Sequence, residues 1–138
     1  MTYQTLNVQT NGESFYDITK ELKKWSLENL ASRSGVLHLF IMHTSCALTI
    51  NESYDPAARR DMERFMKHLA PRDLAFIEHD DEGEDDSPSH MKSILLNQNL
   101  GLVVEKGELV IGTWQGIYLA EFRDAPHNRK VVLKFIEG

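Results

Sequence analysis

Three histidines stand among polar residues with no evident packing role. They are His43, in His43-Thr44-Ser45, and the pair His79 and His90, which bracket Asp80-Asp81-Glu82-Gly83-Glu84-Asp85-Asp86-Ser87-Pro88-Ser89. Neutral imidazole is the commonest protein ligand for a transition metal, and carboxylates and hydroxyls often accompany it. Metal coordination is therefore the first chemistry these residues suggest. His43 closes an apolar run, at the kind of strand end where a sheet presents polar groups to a site; the plain alternative is a core-edge histidine bonded to backbone. His90 falls in the first turn of an expected helix, where the dipole disfavours an extra proton and leaves the ring free to ligate. The same helix end can receive a phosphate, and Lys92 adds a positive charge nearby. The acidic run is long enough to fold back and bring His79 close. The alternative there is a solvated acidic loop with two incidental histidines.

Other candidates carry weaker signals. Glu52, just before a helix start, suits either a metal or the positive end of the helix dipole, and the two readings stay open. Asp55 has a sufficient structural task as N-cap. In Gly112-Thr113-Trp114-Gln115-Gly116, Trp114 could stack on a planar heterocycle and Gln115 could bond its edge, although a packed tryptophan in a hairpin turn is the simpler reading. Cys46 begins the run Cys46-Ala47-Leu48 and reads as a small buried hydrophobe, not a nucleophile. His38 reads as structural. Glu121, Arg123 and Arg129 sit on strands where charges alternate with apolar residues, a pattern that usually faces solvent.

The elements that must position these residues follow from periodicity. Tyr3–Gln9 alternates as a strand, and Asn11-Gly12 marks a turn. Asp17 is placed to cap a helix running to about Ser32, with Ile18, Leu22 and Trp25 on one face. Strands are expected over Gly35–His43 and Ala47–Asn51. Asp55-Pro56 opens a helix with an apolar stripe of Ala58, Met62, Phe65, Met66 and Leu69, stopped by Pro71. Ser87-Pro88 opens a shorter helix carrying His90, Met91, Ile94 and Leu95. Four strands follow, Leu100–Glu105, Glu108–Thr113, Ile117–Arg123 and Lys130–Ile136, with Lys106-Gly107 as the tight turn between the first two. Helices followed by antiparallel strands give the class α+β.

Composition excludes several functions. The 138 residues suit a single domain. A net charge of −6 argues against a nucleic-acid partner, and the apolar runs are too short for a membrane helix. One cysteine and no signal-peptide pattern suggest the cytoplasm.

Taken together, His43-Thr44-Ser45, Leu48-Thr49-Ile50-Asn51-Glu52, Asp55-Pro56, Arg60-Asp61-Met62-Glu63-Arg64-Phe65, Glu78-His79-Asp80, Asp85-Asp86, Pro88-Ser89-His90-Met91-Lys92-Ser93 and Gly112-Thr113-Trp114-Gln115-Gly116-Ile117 resemble the YjbQ-type family, also called the secondary thiamine-phosphate synthase family. The resemblance is ordered and runs from about Gly35 to the end. It implies a single-domain α+β sandwich assembled as a homotrimer, with the three histidines in one pocket. The implied reaction joins hydroxymethylpyrimidine pyrophosphate to a thiazole phosphate and releases pyrophosphate. That chemistry asks for cations at the leaving group and a planar surface for the ring. On this reading His43, His79 and His90 hold a divalent metal, and Glu52, Lys92, Gln115 and Arg129 are catalytic. Thr44, Ser45, Asn51 and Trp114 contact a small phosphorylated substrate. Mg²⁺ suits the synthase reaction, whereas three imidazoles suit a Zn-like ion. A metal-assisted hydrolase and a non-catalytic trimer that binds a metal or a phosphorylated metabolite are the alternatives.

Overall fold

In the computed structural model, which describes residues 2–138, the elements in chain order are β1 (Gln4–Asn11), β2 (Ser14–Asp17), α1 (Thr19–Asn29), β3 (Gly35–Ile41), β4 (Cys46–Glu52), α2 (Pro56–Leu69), α3 (Asp86–Ser93), β5 (Asn99–Glu105), β6 (Glu108–Leu109), β7 (Gln115–Glu121) and β8 (Pro126–Glu137). The strands form a five-stranded sheet, β1-β8-β3-β5-β6, and a three-stranded sheet, β2-β7-β4. All the pairings in both sheets are antiparallel. The α+β class expected from the sequence is the observed one.

Strand parity builds the core. Leu37, Leu39 and Ile41 of β3 and Val131 and Leu133 of β8 point inward, where they meet Leu48 of β4 and Ile117 and Leu119 of β7. Each such leucine contributes about 1.5–3 kcal/mol by leaving water. The alternate residues of β7, Tyr118 and Ala120, face the other way and pack with Phe15, Ala47, Met66 and Phe122 in a second core. β7 is therefore covered on both faces, by the larger sheet and by α2. A central strand buried in this way also buries its last residue, Glu121. On β8, Arg129 shares the parity of Val131 and Leu133 and is likewise buried. The solvent-facing reading of these two charges is thus corrected: inward parity overrides residue type, and each charge is tolerated because the other is there.

Local rules explain most boundaries. Asp17 Oδ1 accepts from the Thr19 N–H and hydroxyl at the start of α1. Asp55 accepts from the Ala57 N–H, with Pro56 in the first turn of α2. At the Lys106-Gly107 turn both residues have positive φ, 51° and 80°, as a type I′ hairpin requires.

Several expectations change. β2 has no counterpart among the expected strands; it pairs with β7 rather than continuing the turn. Phe65 and Leu69 are exposed, because the narrow sheet beneath α2 covers only the side bearing Met62 and Met66. β6 ends at Leu109, and the following loop is closed by Gln115 Oε1 accepting from the Gly112 N–H. β8 begins at Pro126, four residues early, since a strand's first position needs no donor. α3 begins at Asp86 with Asp85 in the cap position, two residues before the expected Ser87 cap and Pro88 start. Proline is accepted anywhere in the first turn, where N–H groups have no helical partner, so Pro88 does not mark the start. Among the described residues no helix is long and apolar enough to cross a membrane.

Candidate functional site

The corrected start of α3 creates the site. With Asp86 inside the helix, Asp86 and His90 stand four residues apart on one face. His79 reaches in from the loop before α3. Its Nε2 lies 2.7 Å from Asp86 Oδ2, His90 Nε2 lies 3.3 Å from the same oxygen, and the two rings are 5.4 Å apart. One ligand atom from each of the three residues lies within 4.8 Å of the other two.

Tautomers follow from the partners. His90 Nδ1 lies 2.7 Å from the Thr44 carbonyl oxygen. A carbonyl only accepts, so Nδ1 carries the proton and a neutral ring leaves the Nε2 lone pair free. Backbone anchoring of one histidine nitrogen so that the other can ligate is the usual arrangement at metal centres. Asp86 is 1% exposed, and its second oxygen accepts from Arg123 Nη1 at 2.8 Å. Two imidazole nitrogens and one carboxylate oxygen form a donor set that fits a divalent transition ion. An ion held there would replace the His79 Nε2–Asp86 Oδ2 hydrogen bond.

The acidic run that supplies Asp86 is itself ordered by charge. Asp85 accepts from Arg123 Nε at 2.9 Å and from the Asp124 N–H at 2.8 Å, and Arg123 Nη2 donates to the Glu82 carbonyl. Burial alone would raise the Asp85 carboxyl; the Asp124 N–H and the Arg123 guanidinium outweigh it and hold the group below the ordinary carboxylate range.

His43 shares the opening but not the cluster. It lines, with Thr44, His79, His90, Ser93, Ile94 and Gln98, a depression of about 630 Å³. Its Nε2 accepts from the Lys130 N–H at 2.9 Å, and its Nδ1 lies 3.4 Å from Arg129 Nη1. Neither nitrogen is presented to His79 and His90. Burial, then the positive charge of Arg129, lower the pKa of His43 and keep the ring neutral. Beneath it, Glu121 receives Arg129 Nε at 2.7 Å, Arg129 Nη2 at 2.5 Å and the Thr10 hydroxyl at 2.6 Å, while Ser45 Oγ accepts from Arg129 Nη2 at 2.8 Å. Arg129 and Ser45 line a neighbouring cavity that shares His43, Thr44 and Gln98 with this depression.

The remaining candidates lie elsewhere in the chain. Asn51, Glu52, Trp114 and Gln115 gather at the far end of β4 and β7, where Glu52 pairs with Gln115 while Cys46 pairs with Glu121 at the near end. The length of β4, about 20 Å, separates the two groups. Glu52 Oε2 accepts from the Tyr54 and Asp55 N–H groups, a structural use of its carboxylate. Trp114 is exposed and packs edge-on against Tyr54 at 4.7 Å. Lys92, two positions beyond His90 and so on another side of α3, is buried with Nζ 2.6 Å from Glu13 Oε2. It is not the mobile charge the sequence suggests.

Comparison with known proteins gives the lineage. Residues 4–138 match the family model described as UPF0047 protein YjbQ-like. The chain belongs to the YjbQ-like UPF0047 family. The match reaches back through β1 and α1, beyond the motifs that begin at Gly35. Relatives within the family include UPF0047 protein YjbQ of Escherichia coli O157:H7, 43% identical over 96% of each chain. UPF0047 protein YugU of Bacillus subtilis is 34% identical over 96% of this chain and 98% of its own. Among solved structures, a conserved hypothetical protein of Thermus thermophilus superposes with a TM-score of 0.85 at 36% identity, covering 96% of this chain and 99% of that one. A YjbQ/UPF0047 family protein of Clostridium acetobutylicum gives 0.84 at 36% identity over the same shares.

Cys46 takes no part in the site. It is fully buried between the sheets, and burial pushes its thiol up to about 12. The folded protein should therefore resist a thiol reagent at neutral pH and react fully once denaturant is added, as followed by thionitrobenzoate release. Rapid labelling of native protein would contradict this burial.

Proposed function

We propose that this chain is a divalent-cation-dependent enzyme acting on a small phosphorylated metabolite, with the cation held by His79, Asp86 and His90. The observation that carries the reading is the convergence of these three donors, with His90 Nε2 freed by the Thr44 carbonyl, at the edge of an open depression. The reaction we assign is the one implied by the motif resemblance: coupling of hydroxymethylpyrimidine pyrophosphate with thiazole phosphate. The cation supplies positive charge to the departing pyrophosphate, charge that water would otherwise have to provide. His43, Thr44 and Gln98 shape the adjoining wall, and the Lys130 N–H holds His43 in place. His43 is neutral and so adds no charge of its own.

A second reading has its own support. The residues that line the depression include no aromatic ring besides the imidazoles, and Trp114 is at the other end of β4. A heterocycle-coupling enzyme benefits from a stacking face, whereas a hydrolase that uses water as the nucleophile needs none.

One experiment separates these readings. Purified protein is incubated with the pyrimidine pyrophosphate and a divalent salt, with and without thiazole phosphate, and the products are resolved by chromatography. Thiamine phosphate formed only with cation supports the synthase. The pyrimidine alcohol, formed whether or not thiazole phosphate is present, supports the hydrolase. Tight cation binding without turnover leaves a binding protein.

We further propose that the chain works as a cytoplasmic homotrimer. The outer face of the larger sheet carries a row of exposed apolar residues, with Val36 of β3 opposite both Val103 of β5 and Ile136 of β8, and Phe40 nearby. Closed symmetry covers such a face; the number three rests on the resemblance. Sedimentation at micromolar concentration should give three times the chain mass of 15.8 kDa, and a monomer would refute the assembly.

A further inference from the structure

We propose that Arg123 is a positioning residue that fixes which oxygen of Asp86 can meet a cation and thereby sets which cations the cluster accepts. The inference rests on the reading of His79, Asp86 and His90 as a cation site. Arg123 is tied at three points. Nη1 donates to Asp86 Oδ1 at 2.8 Å, Nε donates to Asp85 Oδ2 at 2.9 Å, and Nη2 donates to the Glu82 carbonyl at 2.9 Å. A planar guanidinium held in three directions cannot swing. The anchorage continues outward. The Asp124 N–H donates to Asp85, and the Asp124 carboxylate receives both Nη atoms of Arg72 at 2.6 Å, beyond the end of α2. The Arg123, Asp85 and Asp86 side chains are 17%, 12% and 2% exposed, so water competes little with the contacts among these three.

The consequence for Asp86 is an asymmetry between its oxygens. Oδ1 is turned to Arg123, and only Oδ2 faces His79 and His90, at 2.7 and 3.3 Å. A carboxylate free to rotate can offer both oxygens, as Ca²⁺ sites often use, and Mg²⁺ seeks a full oxygen octahedron. With Oδ1 held away, the site offers one oxygen and two imidazoles. That set suits Zn²⁺, Co²⁺ or Fe²⁺ and serves Mg²⁺ poorly. Arg123 would thus act on cation choice without touching the cation.

The test measures Zn²⁺ and Mg²⁺ affinities by titration calorimetry on full-length wild type, Arg123→Met and Arg123→Lys, with the visible absorption of bound Co²⁺ as the readout of coordination. Losing a partner that orients a metal ligand costs roughly 10–100-fold in affinity. Arg123→Met should lose Zn²⁺ affinity by that factor and lose no Mg²⁺ affinity, so that the Zn²⁺ to Mg²⁺ ratio falls and the Co²⁺ band changes shape. Arg123→Lys, which keeps the charge but not the fork, should fall between. If Arg123→Met does not fold, Asp85→Asn decides the matter, because it loosens the Nε anchor while leaving Asp86 intact; a smaller shift in the same direction is expected. A role confined to folding would lower the melting temperature in chelator and leave the ratio and the Co²⁺ spectrum alone. That result, with wild type binding Zn²⁺, overturns the inference and spares the cation site. Failure of wild type to bind Zn²⁺ or Co²⁺ removes the cation site itself.

Discussion

Asp86→Asn should all but eliminate divalent-cation binding while leaving the protein folded. The substitution preserves shape and can still accept from Arg123, but it removes the negative charge shared by His79 and His90. His79→Ala and His90→Ala each remove one of the two nitrogens and should behave alike. A lost ligand should cost more than the roughly 10–100-fold associated with an outer partner, and any turnover should fall by on the order of 10²–10³, the range seen when one charge-stabilising group is removed from an active site. His43→Ala is the internal comparison. His43 Nε2 is occupied by the Lys130 N–H, and the ring lies apart from the His79–Asp86–His90 cluster, so cation affinity should stay within a few-fold of wild type even if turnover drops. The readout is the cation-induced rise in melting temperature, which for a site saturated at 1,000 times its Kd corresponds to about 4 kcal/mol. Equal shifts in wild type and Asp86→Asn would exclude this cluster as the cation site. A shift lost only in His43→Ala would move the site to the other side of the depression.

That contrast among the histidines marks where sequence reading succeeds. The polar setting of His43, His79 and His90 points to one shared ion; all three line one depression, but only His79 and His90 come together with a carboxylate. Strand alternation also locates most of the core, because a period of two is visible whenever one face of a strand is buried. Asp86 is harder to see for a local reason. Ser87-Pro88 is so strong a helix-start signal that it hides the Asp86-x-x-x-His90 spacing, which becomes meaningful only once the helix begins two residues earlier. Lys92 is obscured differently. Nothing near it in sequence reveals Glu13, 79 positions away, which neutralises it. Trp114, Gln115, Asn51 and Glu52 group with the histidines in the motif order, but that order says nothing about which end of a strand a residue occupies. The register of β4 against β7 supplies that information. Arg129 is the instructive intermediate. Its parity with Val131 and Leu133 is readable, and only the habit of treating charged residues as exposed conceals its burial.

The buried Glu121–Arg129 pair carries the second large effect. Both side chains lie almost entirely out of water, 0% and 4% exposed, and are joined by two hydrogen bonds. Removing one partner of such a pair leaves a desolvated charge and typically costs about 3–5 kcal/mol. Arg129→Met and Glu121→Gln should each destabilise by that amount in urea or guanidinium unfolding, while Glu121→Leu combined with Arg129→Met should recover much of the loss, since no charge is left stranded. Acid sensitivity gives an independent signature. Burial by itself would raise the Glu121 carboxyl, but the Arg129 guanidinium and the Thr10 hydroxyl overcome it and hold the pKa below its ordinary value of 4.5. A carboxyl depressed in the fold contributes stability that is complete above the unfolded value and disappears as pH falls through the folded one. His43, depressed from 6.5 chiefly by burial, adds a gentler loss that begins as pH drops below 6.5, where only the unfolded chain takes up the proton. Wild-type stability should therefore decline mildly below about pH 6.5 and steeply below about 4.5. The steep part should be weaker in the double variant, which lacks the Glu121 carboxyl, and the mild part should vanish in His43→Ala. An unchanged acid limb in the double variant would mean that other carboxylates, Asp85 and Asp124 foremost, dominate the acid lability, and that the buried pair contributes through packing alone.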